Sequence, residues 1–143
     1  MNVISASTRQ NGKQHLTFRL PLGIYPFDVL VHFGTNKKPM WEALGEYISK
    51  EDLDYAKNLN WNVVGKSIML PGRQQILYIH NLDMNPNTMG YLAHEVFHVA
   101  HFIMEKIGMG KLTRNNDEAY AYLIGYITEK IHDKLKMYFS KNK

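Results

Sequence analysis

The amino-acid sequence predicts an α+β fold, in which a small, mostly antiparallel sheet packs against a histidine-bearing helix and a C-terminal helix. Segments with strand-like patterns fall within the first 80 residues, whereas apolar residues at helical spacing dominate from residue 89 onward. Of the 143 residues, 45% are apolar, which is enough to bury a core without cross-links. The chain shows no internal repeat and no linker-like stretch, so residues 1–143 should form a single domain.

Two strands are expected in the N-terminal part of the chain. Leu16, Phe18 and Leu20 alternate with other residues, as in a strand with one buried face. Residues 27–33 are rich in β-branched and aromatic side chains and are followed by a glycine. Residues 1–14 show no comparable pattern, and we expect them to be poorly ordered.

Two short helices and a hairpin should follow. Apolar residues at i, i+3 and i+4 indicate short helices over residues 40–49 and 50–60. A Pro-Gly pair at positions 71 and 72 then separates residues 67–70 from residues 75–80, whose apolar side chains fall on both faces. This pattern predicts a β-hairpin directly before the histidine motif.

The second half of the chain predicts two long helices. The first should cover about residues 89–107, after an Asn-Pro-Asn-Thr sequence at positions 85–88 that offers several N-caps. The second should cover about residues 116–139, with Asn115 or Asn116 as its N-cap and acidic residues in its first turn, where they suit the helix dipole.

The first long helix carries the pentad His94-Glu95-Val96-Phe97-His98, which is an HExxH arrangement. Four residues span about one helical turn, so His94 and His98 project from the same face and can share a metal ion. Glu95 is rotated off that face by roughly a quarter turn. Its carboxylate can therefore reach a water on the metal without being a ligand, as a general base does in zinc hydrolases.

The same helix separates its apolar residues from its histidines. Apolar side chains repeat about every 3.6 residues and form a stripe typical of a core-facing helix. The stripe comprises Leu92, Val96, Val99, Ile103 and Ile107, whereas His94, His98 and His101 occupy a different face. The alternative reading treats these histidines as ordinary packed residues or the pentad as a chance arrangement. Histidines in a core normally occur singly, which favours a metal site.

A catalytic zinc ion usually has three protein ligands, so a third one is required. The chain has no cysteine, and the third donor must therefore be a histidine or a carboxylate. His101 lies about 10 Å along the helix axis from His94, which is too far for convergence on one ion, and Glu105 lies farther. We therefore expect His101 to line the cleft around the metal and not to bind the metal itself. The remaining candidates are Asp117 and Glu118 at the start of the last helix.

Chain length allows either acidic residue to return to the metal, because the connection between the two helices can span about 26 Å when extended. Periodicity does not choose between them, since the first turns of the last helix are apolar all round. Ala121 and Gly125 lie on the face of Glu118 and are small enough for a close approach to the motif helix. Tyr122, one turn after Glu118, is a candidate donor to the oxyanion of a tetrahedral intermediate, although Tyr120 and Tyr126 look similar.

Together with the HExxH pentad, the Asp-Glu-Ala-Tyr-Ala-Tyr-Leu-Ile-Gly-Tyr run at positions 117–126 resembles the small gluzincin-type metallopeptidases. The likeness is to the short proteins of phages and mobile elements, and it is specific over about residues 76–127. It implies a zincin-like fold, a Zn²⁺ cofactor held by His94, His98 and Glu118, and Glu95 as the base.

The resemblance also implies a mode of substrate binding. In this family a peptide lies extended along the edge strand of the sheet, which here would come from residues 68–70 or from residues 75–80. Larger gluzincins have a further His or Tyr after the glutamate that stabilises the transition state. No residue of this chain is matched to that position, and Tyr122 is our candidate.

Charge and hydropathy restrict the other classes of partner. The net charge is +4, and part of the excess lies in the C-terminal stretch. The lysines concerned are Lys130, Lys134, Lys136, Lys141 and Lys143. They suit the negative end of a helix dipole, and no aromatic-interleaved basic patch accompanies them, so we expect no nucleic-acid partner. We also expect no membrane segment and a cytoplasmic location.

The sequence therefore predicts a zinc-dependent peptidase that acts on a peptide or protein substrate, with Glu95 as general base and Tyr122 as an auxiliary catalytic residue. The alternative is a non-catalytic zinc-binding interaction module of a phage or mobile element that acts on a host protein. A fourth protein ligand that closes the coordination sphere would favour that alternative, and His101 and Asp117 are the residues to examine.

Overall fold

A computed structural model describes residues 14–23 and 25–141, together with the backbone of residues 2–6. In chain order the elements are β1 (Asn2–Ala6), β2 (Leu16–Pro21), β3 (Asp28–Phe33), α1 (Lys38–Gly45), α2 (Lys50–Lys57), β4 (Gly65–Met69), β5 (Gln75–Ile79), α3 (Pro86–Lys106) and α4 (Asp117–Lys141). No helix in the described part of the chain combines the length and the apolar character needed to cross a membrane.

The five strands form one sheet in the order β1-β2-β3-β5-β4. Three of the four pairings are antiparallel, and β3 pairs with β5 in parallel. A parallel pair needs a long crossover, and the segment containing α1, α2 and β4 supplies it. The predicted α+β fold with a mostly antiparallel sheet is confirmed, whereas the parallel pair was not predicted.

Helices cover both faces of the sheet. One core contains the inward residues of α3 and α4 together with Val29, Val31, Leu77 and Ile79. A second core contains residues of α1 and α2 together with strand residues from the opposite face, such as Leu30. Because side chains alternate along a strand, the sheet is the middle layer of three.

The N-terminus differs from the expectation of poor order in residues 1–14. Asn2–Ala6 form β1, which pairs antiparallel with β2 and shows a register shift between Val3 and Ser5. Pairing to an exposed strand edge depends on the partner strand rather than on local pattern, so β1 was not predictable from its own residues. Residues 7–13 lie outside the described part of the chain.

The short helices agree with prediction apart from their ends. The first begins two residues earlier than expected, with a proline in its first turn, and ends at Gly45. The second is capped by Ser49, whose hydroxyl oxygen accepts a hydrogen bond from the backbone N–H of Asp52 at 3.1 Å. It ends at Lys57, before the asparagines that disfavour helix.

The predicted hairpin is confirmed as the β4–β5 pair. Its turn places Arg73 at a φ of 76°, a left-handed conformation that a side chain disfavours. The backbone N–H of Arg73 donates to the carbonyl of Leu70 at 2.8 Å, and the N–H of Leu70 donates to the carbonyl of Gln74 at 2.8 Å. These bonds close the turn tightly and fix which residues of β4 face β5.

Candidate metal centre

The two motif histidines lie together on the exposed side of α3. The Nε2 atoms of His94 and His98 are 3.1 Å apart. Two nitrogens bound to one tetrahedral zinc ion at about 2.0–2.1 Å would be separated by about 3.3 Å. The separation therefore fits a shared metal ion, and it equally fits a hydrogen bond between the two rings in the metal-free protein.

Glu95 points in a different direction from its neighbour His94. The side chain is buried, with 7% of its surface exposed, and it packs against β4. The Ser67 hydroxyl lies 2.8 Å from Glu95 Oε1 and 3.0 Å from the Glu95 backbone oxygen. At Gly65, a Cβ atom would lie 3.0 Å from both Cγ and Oε2 of Glu95. The carboxylate is thus held between two residues of the strand.

His94 and Glu95 face a common cleft, which we call the histidine cleft. It has a volume of about 510 Å³, and its lining includes Val64 and Gly65 on the strand side and Tyr91, His94 and Glu95 on the helix side. Of the residues predicted to bind the metal, His94 therefore opens onto the same space as the predicted base, Glu95. That space is bounded by β4, the strand at the end of the sheet.

The proposed third ligand lies elsewhere. Glu118 is exposed in the first turn of α4, two residues and therefore about 200° around the helix from the buried Tyr120. It lines a separate cleft of about 530 Å³, the α4 cleft, formed by Glu118, Ala121, Tyr122, Gly125, Tyr126 and Glu129. Within residues 14–23 and 25–141, no three His, Asp or Glu side chains are close enough to hold one metal ion.

The reason that sequence analysis gave for choosing Glu118 is wrong in one respect. Ala121 and Gly125 were expected to let α4 approach the motif helix closely, but both residues are exposed. A Cβ atom added at Gly125 would meet no atom within 4 Å. The large apolar residues of α4, including Leu123 and Ile127, are the ones that pack into the core. Tyr122 lies on the outward face and is 75% exposed.

His101 is placed apart from the other two histidines of α3. Its Nδ1 atom lies 3.2 Å from the Tyr120 hydroxyl, and its Nε2 atom lies 3.7 Å from a carboxylate oxygen of Glu105. Its ring also stacks on Phe97. His101 thus connects α3 to α4. Among the described residues, it does not join His94 and His98 as a third metal ligand.

Tyr120 also fixes the connection between the two helices. Its hydroxyl donates to the carbonyl of Gly110. Burial, with a smaller contribution from Glu105, raises the pKa of Tyr120 above its ordinary value. Asn116 completes the connection, because its amide donates to the carbonyls of Met109 at 2.9 Å and Lys111 at 2.7 Å. These contacts define where α4 begins.

Sequence reasoning did not identify Gly65 and Ser67 as part of the site. The predicted strand, residues 67–70, included Ser67 but not Gly65, whereas β4 begins at Gly65. Two residues apart on a strand, they lie on one face, but nothing in the sequence states which helix covers that face. Comparisons with known protein families, with curated proteins and with solved structures found no match to this chain. The site is therefore interpreted from its own geometry.

The residues present fit a zinc ion in part. Imidazole nitrogen and carboxylate oxygen are both donors that zinc accepts, and the His94–His98 separation suits one ion. The third donor of the proposed set, Glu118, is not brought to the histidine pair by the side-chain positions in the structure.

Proposed function

We propose that this protein is a zinc-dependent peptidase of the gluzincin type. The observation that carries the proposal is the combination of a histidine pair with Nε2 atoms 3.1 Å apart and a buried carboxylate, Glu95, that opens onto the same cleft as His94. His94 and His98 would hold the ion, with Glu118 as the third ligand. When bound, zinc supplies Lewis-acid activation of water and of the scissile carbonyl.

The surroundings of Glu95 suit the role of general base. Its Oε1 atom accepts a hydrogen bond from Ser67, so Oε2 is the atom left to take a proton from water. The same atom would then give the proton to the departing amine, as general acid–base catalysis requires. Burial beside β4 also excludes most bulk water from the carboxylate.

The sheet offers a binding edge for an extended peptide. Of the two segments considered, residues 75–80 are ruled out because β5 is paired on both sides, whereas β4 is an edge strand. Hydrogen bonds from His80 N–H to Val64 and from Leu70 N–H to Gln74 set the pairing of β4 with β5. In an antiparallel pair only alternate residues face the partner, so the N–H and C=O groups of residues 65, 67 and 69 face the free edge.

The free edge of β4 runs between two clefts. The histidine cleft lies at its beginning, and a second cleft of about 500 Å³ at its end is lined by residues that include Ile68, Leu70, Phe102 and Lys106. An added peptide strand would therefore place side chains in both clefts and pass close to Glu95. This arrangement supports a peptide or protein as the substrate.

One observation favours a second candidate function. Glu118 and Tyr122 line a cleft of their own, so the full proposed set of catalytic residues is not assembled around the histidines. This separation suits a non-catalytic protein that binds zinc through the histidine pair and acts by binding a host protein. For either candidate we place the chain, which has no cysteine, in the cytoplasm.

A cleavage assay tests the proposal. Purified protein is incubated with a mixture of fluorogenic peptides of random sequence, with a zinc chelator, and with the chelator followed by added Zn²⁺. We expect cleavage that the chelator abolishes and zinc restores. Zinc binding without any cleavage would favour the interaction module, and absence of both would refute the metal site.

A further inference from the structure

The carboxylate of Glu95 is held by two residues of β4 that have no direct role in metal binding. Ser67 donates to Oε1 at 2.8 Å, while Gly65 leaves the space that Oε2 occupies. We call Gly65 and Ser67 the carboxylate seat. The two residues lie on the same face of β4 because they are two positions apart. Their contacts with Glu95 show that this face is the one toward α3.

The same two residues face the free edge with their backbone groups. In the β4–β5 pair, alternate residues of β4 form hydrogen bonds to β5, and the N–H and C=O groups of residues 65 and 67 point away from β5. Ser67 therefore contacts Glu95 through its side chain and offers its backbone to an incoming peptide. Ser67 thus connects the position of Glu95 with the strand edge to which a peptide could pair.

We propose that Ser67 is a positioning residue that, with Gly65, holds the Glu95 carboxylate in register with a peptide bound along β4. This proposal rests on the proposed peptidase function. Its physical basis is that proton transfer requires hydrogen-bond reach, and a misplacement of about 1 Å can cost about 100-fold in rate. Without the contacts to Gly65 and Ser67, the Glu95 carboxylate could still accept a proton but would no longer be held in the required orientation.

The contact itself is tested in the metal-free protein. Urea unfolding midpoints are compared for Ser67→Ala, Glu95→Ala and the double variant. We expect the double variant to show a smaller shift than the sum of the two single shifts, because the hydrogen bond can be lost only once. Additive shifts would show that the residues do not interact and would overturn the proposal.

The positioning role is tested with a fluorogenic peptide that the wild type cleaves. Ser67→Ala should lower kcat by about tenfold to 100-fold while zinc content and KM stay close to wild type. Ser67→Thr, which keeps the hydroxyl, should restore most of the rate. Gly65→Ala should also lower kcat, since its Cβ would press on the carboxylate from the other side.

Ser49→Ala is the matched control, because it also removes a hydrogen-bonded serine hydroxyl, in this case the one that caps α2. It should leave kcat unchanged. If the wild type cleaves and Ser67→Ala keeps its full kcat, only the positioning role is overturned. If the wild type shows no zinc-dependent cleavage, the proposed function and the positioning role are overturned together.

Discussion

His94 and Glu95 are consecutive in the chain, yet His94 is exposed beside His98 whereas Glu95 is buried against β4. The step of about 100° between neighbouring residues on a helix separates the metal-binding face from the strand-facing side of α3. The metal ligand and the base can therefore be altered independently.

Zinc binding should depend on the histidine pair. We expect added Zn²⁺ to raise the melting temperature of the wild type, because a ligand that binds only the folded state stabilises it. His98→Ala should abolish this shift, since one nitrogen of the pair is lost. His132→Ala, on α4, is the control and should keep the shift. A zinc-induced shift that survives His98→Ala would contradict the assignment.

The third ligand can be identified by comparing three single variants. Zinc affinity, measured by competition with a coloured chelator, should fall at least about tenfold in Glu118→Ala, because loss of one donor weakens a three-ligand site. Asp117→Ala and His101→Ala should bind zinc nearly as well as the wild type. If Asp117→Ala shows the large loss instead, the carboxylate one position earlier is the ligand.

Acid should destabilise the fold through His32. This residue is fully buried, with Nδ1 2.7 Å from the Thr17 hydroxyl and Nε2 3.1 Å from the Gly34 carbonyl. Burial, with a smaller effect of nearby His15, lowers the pKa of His32 from 6.5 to about 4. The unfolded chain takes up the proton first, so stability present above pH 6.5 is lost as the pH falls toward 4.

Protonation of His32 should lower the free energy of unfolding by roughly 3 kcal/mol in total, because each unit of pKa difference between the folded and unfolded states is worth about 1.4 kcal/mol. The measurement is the free energy of unfolding in urea at several pH values for the wild type and for His32→Asn. We expect a steeper fall between pH 6.5 and pH 4 in the wild type. Identical slopes for the two proteins would show that His32 does not carry the effect.

Arg73→Gly should stabilise the protein. Arg73 has a φ of 76° in the tight β4–β5 turn, where glycine is favoured because it has no Cβ. We expect the free energy of unfolding to rise by about 1 kcal/mol. Arg114→Gly, in the loop before α4, is the control and should bring no gain. A loss of stability in Arg73→Gly would mean that the arginine side chain stabilises the turn.

The parts of the structure that were predictable depend on local pattern. The Pro-Gly turn predicted the hairpin, and the four-residue spacing predicted that His94 and His98 would meet. The β1 pairing, the parallel β3–β5 pair and the contact between Ser67 and Glu95 join residues that are distant in sequence. Such contacts depend on how the elements pack, which local periodicity does not encode.

The orientation of α4 shows the same limit. Residues 119–127 carry no charge, so the sequence did not show which face is buried. In the structure Leu123 and Ile127 continue into a stripe of large residues farther along the helix, and that stripe packs into the core. The small residues Ala121 and Gly125 are left exposed. Packing of large side chains outweighed the close approach that small residues allow.

The most direct test of the central claim is a comparison of the wild type with Glu95→Gln for both zinc content and peptide cleavage. Glutamine has nearly the same size but cannot act as a base at neutral pH. We predict equal zinc content and at least about a 100-fold loss of cleavage in Glu95→Gln, whereas Glu42→Gln, at an exposed residue of α1, should behave as the wild type. Full cleavage by Glu95→Gln would show that Glu95 is not the general base.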